Sequence, residues 1–384
     1  MANEGAHRPG RRAVRLRDVA DAAGVSTATV SRALAHPGRV QDITRKRVQD
    51  AARALGYTPN EAARALRAGA SRMVLVLIPQ RCSEMFYAGV LAGIDAELSA
   101  HGYTMLMGSL EGNAVKARRL SDLVFGQHLD GVITVTAVPA IDGRSILDAG
   151  VPVVSVCIEI EGSGFPAVVV DDEACARAQT EHLIALGHRR LLFVAGVEGQ
   201  YNDVLRYRGF RRAAEAAGLD PADVRRHAGD YSLVSGVAAA KSLLGMAPRP
   251  TGVVCCSDEM AIGFMKTVMG AGINCPAEVS VVGFDDIEFA EFCEPALTTI
   301  RQPRIDMGAT GARALLAMLR GEASAPPRRI VLPAGLVVRD STATAPAVPR
   351  QSRSRPPSAR AFEGRHQSPA LLGAFAVPAV ARPT

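Results

Sequence analysis

The chain has 384 residues, 48% of them apolar, and carries 44 Lys and Arg against 38 Asp and Glu. That length supports two or three domains with sizeable cores, and the apolar runs, such as Met73–Pro79, are far too short for a bilayer-spanning helix. Seven cysteines, odd in number and without metal-ligand spacing, argue against a disulfide framework and fit reduced thiols in a cytoplasm.

The charge is placed unevenly. Between His7 and Arg72 there are 14 Lys and Arg against 5 Asp and Glu, a local +9, whereas residues 73–344 carry −7 and residues 345–384 carry +5. A basic head on an acidic body predicts a polyanion contacted by the head, and the basic tail reads as a solvated one. Arg8, Arg11 and Arg12 lead into no apolar stretch, so no secretory signal is expected and the setting is cytoplasmic, at the nucleoid.

The first elements in chain order are two short helices. Val19, Ala20 and Ala23 share one face of the first, and Val30 and Leu34 one face of the second. Gly24 suits a left-handed corner between them, and Ser26 can cap the second helix near Thr29. This pattern predicts a helix-turn-helix, whose second helix lies in the DNA major groove. A third helix follows, with Thr44 as its cap, Val48, Ala51, Ala52 and Leu55 inward, and Gly56 at its end. Tyr57–Gly69 describes a very short helix, too short to repay its own nucleation and a candidate for folding only on DNA.

From Ser71 the pattern becomes strand–helix alternation. Strands are predicted at Met73–Ile78, Thr104–Met107, Gly131–Val135, Val151–Val156, Ala167–Val170, Leu191–Ala195, Gly252–Cys255 and Val279–Gly283. Amphipathic helices are predicted at Ala88–Ala100, Val115–Phe125, Glu173–Leu186, Arg206–Ala217 and Ser235–Leu244. Continuous apolar strands with helical connections imply parallel sheets covered on both faces, with ligands beyond the carboxyl ends of the strands. No glycine-rich phosphate loop is present, so no nucleotide cofactor is expected, and neither is a metal. Residues 342–384, rich in Pro, Ala, Ser and Arg, read as disordered.

Several motifs in order resemble the LacI/GalR family of bacterial transcription regulators across residues 14–341. They are Asp18-Val19-Ala20, Val25-Ser26-x-x-Thr29-Val30-Ser31-Arg32 and Gly56-Tyr57-x-Pro59-Asn60 in the head. In the body they include His182-Leu183-x-x-Leu186-Gly187-His188-Arg189-Arg190, Arg206-x-x-Gly209-Phe210, Ser257-Asp258-x-Met260-Ala261-x-Gly263 and Val282–Asp286, closed by Leu297–Pro303. Val25–Leu34 and Phe292–Arg304 are most similar to the cytidine-responsive members.

The resemblance implies an α/β fold. A three-helix helix-turn-helix domain spans residues 14–58 and a hinge helix residues 59–70. A periplasmic-binding-protein-like core of two doubly wound parallel-sheet subdomains spans residues 71–341. Its N-subdomain takes about 71–170 and 301–330, and its C-subdomain about 171–300 and 331–341. It also implies a homodimer on a near-palindromic operator in double-stranded DNA. Thr27, Ala28 and Arg32 then face base edges, Ser26, Thr29 and Ser31 face phosphates, Asn60 joins the contacting set, and Leu66 wedges into the minor groove.

In the core, the resemblance carries Phe86, Tyr87, Arg206, Tyr231 and Asp258 to an effector cleft. The effector expected is a nucleoside first, a sugar or sugar acid second. Two departures stand out: Cys157 sits where relatives place a polar ligand contact, and Cys82-Ser83-Glu84-Met85 replaces a proline-containing run at the cleft entrance. Two other functions are compatible with parts of the chain. A solute-binding protein would explain the core but leaves residues 14–69 without use. An enzyme could draw on His182 and His188 with Asp171 or Asp172, but no nucleophile motif accompanies them, and packing or capping histidines are the preferred reading. The expectation is therefore a DNA-binding regulator without catalysis, whose prolines and lack of heptads after residue 341 give no tetramerising helix.

Overall fold

The computed structural model describes residues 14–35, 37–57, 71–79, 84–109, 114–126, 128–137, 140–322 and 326–347. The head consists of α1 (Leu16–Ala23), α2 (Thr27–Ala35) and α3 (Asp42–Leu55). Asp18 accepts from the Arg15 backbone N–H at 2.7 Å at the start of α1, and Gly24 closes it at φ 61°. A residue with a Cβ would be strained in that corner. Val19, Ala20, Ala23, Val30, Ala33, Val48 and Ala52 form the small core of the three helices. Thr44 is not the cap of α3: the helix begins at Asp42, with Gln41 before it. Leu55 is 39% exposed rather than inward, because Val48 and Ala52 already fill the space against α1 and α2. The segment expected to form the hinge helix lies outside the described residues, and so do Asn60 and Leu66.

The core runs as β1 (Met73–Ile78), α4 (Glu84–Ala100), β2 (Thr104–Ser109), α5 (Ala114–Phe125), β3 (Gly131–Thr134), β4 (Val153–Val156) and β5 (Ala167–Val169). It continues with α6 (Asp172–Ala185), β6 (Leu191–Val194), α7 (Tyr201–Ala216), β7 (Val224–His227), α8 (Leu233–Leu244), β8 (Gly252–Cys255) and α9 (Asp258–Gly270). The last elements are β9 (Ser280–Asp285), the short α10 (Phe289–Phe292), β10 (Thr298–Arg301), α11 (Arg304–Leu319), β11 (Arg329–Val331) and β12 (Gly335–Val337). One six-stranded sheet has the order β11-β5-β4-β3-β1-β2, and the second β12-β10-β9-β8-β6-β7. Every pairing is parallel except β10 with β12. The central strands are buried from end to end, as helices on both faces require.

The chain passes from the first sheet to the second after β5, returns through α11 to add β11, and crosses once more to add β12. Helix α11 lies against α4 at backbone distance. A Cβ on Gly308 would sit 2.0 Å from the Val90 carbonyl oxygen, and one on Gly93 2.0 Å from that of Ile305. The chain also stays docked past the start of the tail read as disordered. Ala345 donates its N–H to the Leu186 carbonyl at 2.8 Å, and Ala343 exchanges bonds with the Ser280 hydroxyl. His188, wholly buried, bonds Thr251 and the Ala343 carbonyl, and His182 bonds Thr342. Polar partners on the second half of the core thus fix a stretch whose composition carries no periodicity.

A helix-turn-helix head and a cleft between two sheets

Helix α2 starts on the Ser26 hydroxyl, which accepts the Thr29 N–H at 3.1 Å and lies 2.9 Å from the Thr29 hydroxyl. That cap leaves Ser26, Thr27 and Ala28 exposed in the first turn, while Val30 and Ala33 turn inward. Arg32 is exposed one turn further along, its Nε within 3.4 Å of the Ala28 carbonyl. Thr29 and Ser31 are half-buried at the sides of the same face. The face therefore offers hydroxyls, methyls and a guanidinium, the groups that contact phosphates, thymine methyls and guanine edges.

The second feature is a cavity where the carboxyl ends of strands from both sheets meet, with about 760 Å³ of empty space, solvent mouth included. Its walls differ. The side formed by the first sheet is mostly apolar: Phe86 and Tyr87 from the first turn of α4, Val135 after β3, and Cys157 and Ile158 after β4. The two rings meet edge to face at 5.1 Å. The side formed by the second sheet brings Asn202 and Arg206 from α7, Tyr231 from the turn before α8, Asp285 from the end of β9 and Gln302 after β10.

Arg206 anchors the polar wall. Its Nε donates to Asp172 Oδ1 at 2.7 Å, its Nη1 to the Cys256 carbonyl at 2.5 Å, and the guanidinium lies 3.5 Å from the Phe284 ring centre. Burial opposes its charge, but Asp172 and Asp285 outweigh that and hold its pKa above the ordinary value. Burial pushes the Asp172 carboxyl up, while Arg206 and Asn202 pull it back. Close contact with a guanidinium that stays charged at every accessible pH supports the ionised pair. Asn202 Nδ2 also reaches across the cleft to the Cys157 carbonyl at 3.0 Å.

Tyr231 is held in a left-handed backbone conformation, φ 67°, with its carbonyl accepting from the Ser257 hydroxyl at 2.9 Å. Its ring lies on Gly196, where a Cβ would stand 2.1 Å from Cζ. Its hydroxyl is buried without a partner among the described residues, and burial keeps it protonated by raising its pKa. Cys157 (φ 70°) and Asp285 (φ 128°) share this sparsely populated backbone region. Backbone strain of this kind gathers where a fold positions groups for a ligand.

Four of the five residues carried to the cleft by resemblance line it: Phe86, Tyr87, Arg206 and Tyr231. Asp258 does not. It is wholly buried behind the wall, accepting the Ile287 N–H at 2.9 Å and the Thr299 hydroxyl at 2.5 Å, so it braces the loop after β9. Burial pushes its pKa up to about 7. The carboxylate at the cavity is Asp285 instead, and sequence reasoning passed over it, Asn202 and Gln302. The Gly283-Phe284-Asp285-Asp286 run marked the carboxyl end of a strand, which was the available signal. Cys157, noted as a departure, lines the cavity with a thiol whose pKa burial raises. Asp171 caps α6 by accepting the Ala174 N–H, and Asp172 is paired with Arg206, so the four residues considered as a relay are separately engaged.

A DNA-reading head joined to a two-sheet core with a polar cleft defines a ligand-responsive regulator of transcription. The head matches the model of bacterial regulatory proteins of the lacI family over residues 15–60, and residues 180–342 match the periplasmic binding protein-like domain. The chain belongs to the lacI family. It is 32% identical over 337 residues to the HTH-type transcriptional repressor CytR of Escherichia coli (strain K12), covering 87% of this chain and 98% of that protein. A structure of the transcriptional regulator CelR in complex with cellobiose superposes with TM-score 0.65 at 33% identity, covering 85% of this chain and 99% of that one. The lac repressor dimer bound to operator and the anti-inducer ONPF superposes with TM-score 0.74 at 28% identity, covering 86% and 100%. These relatives are transcription regulators, which sets aside the solute-binding reading. Among the described residues no helix is long and apolar enough to cross a membrane.

Proposed function

We propose that this regulator is a homodimeric, cytoplasmic repressor of a catabolic or uptake operon, released from or fixed on a near-palindromic operator by a small molecule in the cleft, without catalytic turnover. The observation that carries the reading is the α2 face: Ser26, Thr27, Ala28 and Arg32 exposed on a helix whose other side is locked into a core. In this reading Thr27, Ala28 and Arg32 read base edges, and Ser26, Thr29 and Ser31 hold phosphates. Asn60 and Leu66 contact DNA from the hinge at residues 59–70. Phe86, Tyr87, Arg206 and Tyr231 hold the effector, joined by Asp285. Exposed Phe289, Phe292 and Ile305 supply an apolar surface suited to a second copy of the chain.

Effector occupancy changes operator affinity only as far as the effector prefers one arrangement of the core over another. The test is operator selection from a random duplex pool, followed by titration of the selected duplex. Arg32→Ala is expected to cost about 1–3 kcal/mol on the selected site and to relax one position of each half-site. Leu66→Ala is expected to weaken operator binding and leave the melting of the core unchanged. A full-length chain that enriches no sequence would end the proposal.

A further inference from the structure

We infer that the cleft takes an uncharged ring compound with one apolar face and a hydroxyl-bearing edge, and rejects the phosphorylated or carboxylate form of the same molecule. This rests on the effector reading above and narrows it. The apolar wall sets the first requirement. Phe86 and Tyr87 present rings, and the Tyr87 hydroxyl is turned to the Val135 carbonyl at 3.5 Å, so what faces the ligand there is carbon. A sugar ring face or a base can stack on such a surface.

The polar wall sets the second. The Tyr231 hydroxyl is buried and has no partner among the described residues, and a buried donor in that state calls for an acceptor from the ligand. Its place is built in: Gly196 gives the ring its seat and Ser257 holds the strained backbone. Asp285 Oδ1 accepts from Gln302 Nε2 at 2.7 Å, and Oδ2 has no donor among the described residues. That oxygen calls for a hydroxyl or amine hydrogen. One group to give and one to receive, set on a single wall, suit a hydroxylated edge.

The charge balance sets the third. Asp172 and Asp285 stand against a single guanidinium, and Arg206 already commits Nε and Nη1. The neighbouring cations among the described residues are engaged elsewhere. Arg304 bonds the Met85 and Asp286 carbonyls, and Arg329 pairs with Glu159. An anionic ligand would add negative charge beside two buried carboxyl groups, with no free cation among the described residues to meet it.

The experiment is calorimetric titration of the full chain with matched pairs: cytidine and cytidine 5′-monophosphate, ribose and ribose 5-phosphate, cellobiose and cellobionate. At least one neutral member binds, and its charged partner binds at least about 100-fold more weakly. The responding pair tells a nucleoside from a sugar. Tyr231→Phe, its fold checked by melting, loses roughly tenfold in affinity for the neutral ligand, while Asp285→Asn narrows the gap between neutral and charged partners. Equal or tighter binding of the charged member, undiminished binding by Tyr231→Phe, or silence of the whole panel would each overturn the inference. Operator binding by the same preparation separates the two readings. A chain that binds the neutral ligand but no DNA loses the repressor and keeps this cleft, whereas one freed from operator only by a charged member keeps the repressor and loses it.

Discussion

The two halves of the core share a topology and differ in what they bury. Around the first sheet the buried polar side chains are hydroxyls, Ser121, Thr134 and Ser155, among the described residues. Around the second, Asp172, His188, Asp203, Arg206, Asp258 and Asp285 are all buried. The first half can therefore be held by apolar packing alone, and the second by packing plus a network in which each charge depends on a named partner. The difference teaches where recognition resides: a sheet of Val and Ile supplies a surface, and a sheet edged with paired ions supplies direction. It also separates how the halves fail, since removing a methyl group leaves a small void while removing one ion leaves the other uncompensated.

Four measurements would break or sharpen that contrast. The largest effect belongs to Arg206→Met, which leaves Asp172 buried without its cation and should cost about 3–5 kcal/mol in denaturant unfolding. A loss below that of a single core methyl would mean the network is not holding the second half. Next is Gly308→Val, at the contact of α4 with α11. The added Cβ would meet the Val90 carbonyl at 2.0 Å, and overpacking there should cost about 1–3 kcal/mol or more. Ile133→Val, in the middle of the first sheet, should cost about 0.5–1.5 kcal/mol, equally at pH 5 and pH 7.

The fourth measurement turns on a sign rather than on a size. Asp258 has its folded pKa raised to about 7 by burial, above the value it takes when unfolded. The folded state therefore holds its proton more tightly, and this residue's contribution falls as pH rises from about 4 through 7. The melting temperature of the chain minus that of Asp258→Asn should then be higher at pH 5 than at pH 7. A difference that rises with pH would mean that the bonds from Thr299 and Ile287 outweigh burial.

Much of this was legible in the sequence, for reasons particular residues show. The strands at Met73–Ile78 and Gly252–Cys255 fall where unbroken apolar runs placed them, because a strand buried on both faces has no polar alternation to hide. The turn at Gly24 was readable because only a residue without a Cβ is at ease there. Helices α9 and α11 went unread. Gly263, Gly308 and Gly311 look like breakers in a linear pattern, whereas in space they let backbones and side chains of other elements approach. Strand β7 went unread because Arg225, Arg226 and His227 form an edge, where charge is admissible. At the cleft, residue type misled for Asp258. A carboxylate beside a strand end can face the cavity or the loop behind it, and one residue of rotation decides.

The crossing of the chain between the two sheets has a consequence for synthesis. The first sheet is not complete when the ribosome has made β5, because its outer strand, β11, and the helix that packs on α4 come only after the whole of β6 to β10. During that interval the edge of β5 is an open ladder of N–H and C=O groups beside an apolar surface awaiting α11. The first half to emerge thus closes only after most of the second has been made. A nascent chain stalled short of Val331 would be open to mispairing at the half whose described residues bury no charge, and that interval is where a chaperone would be needed.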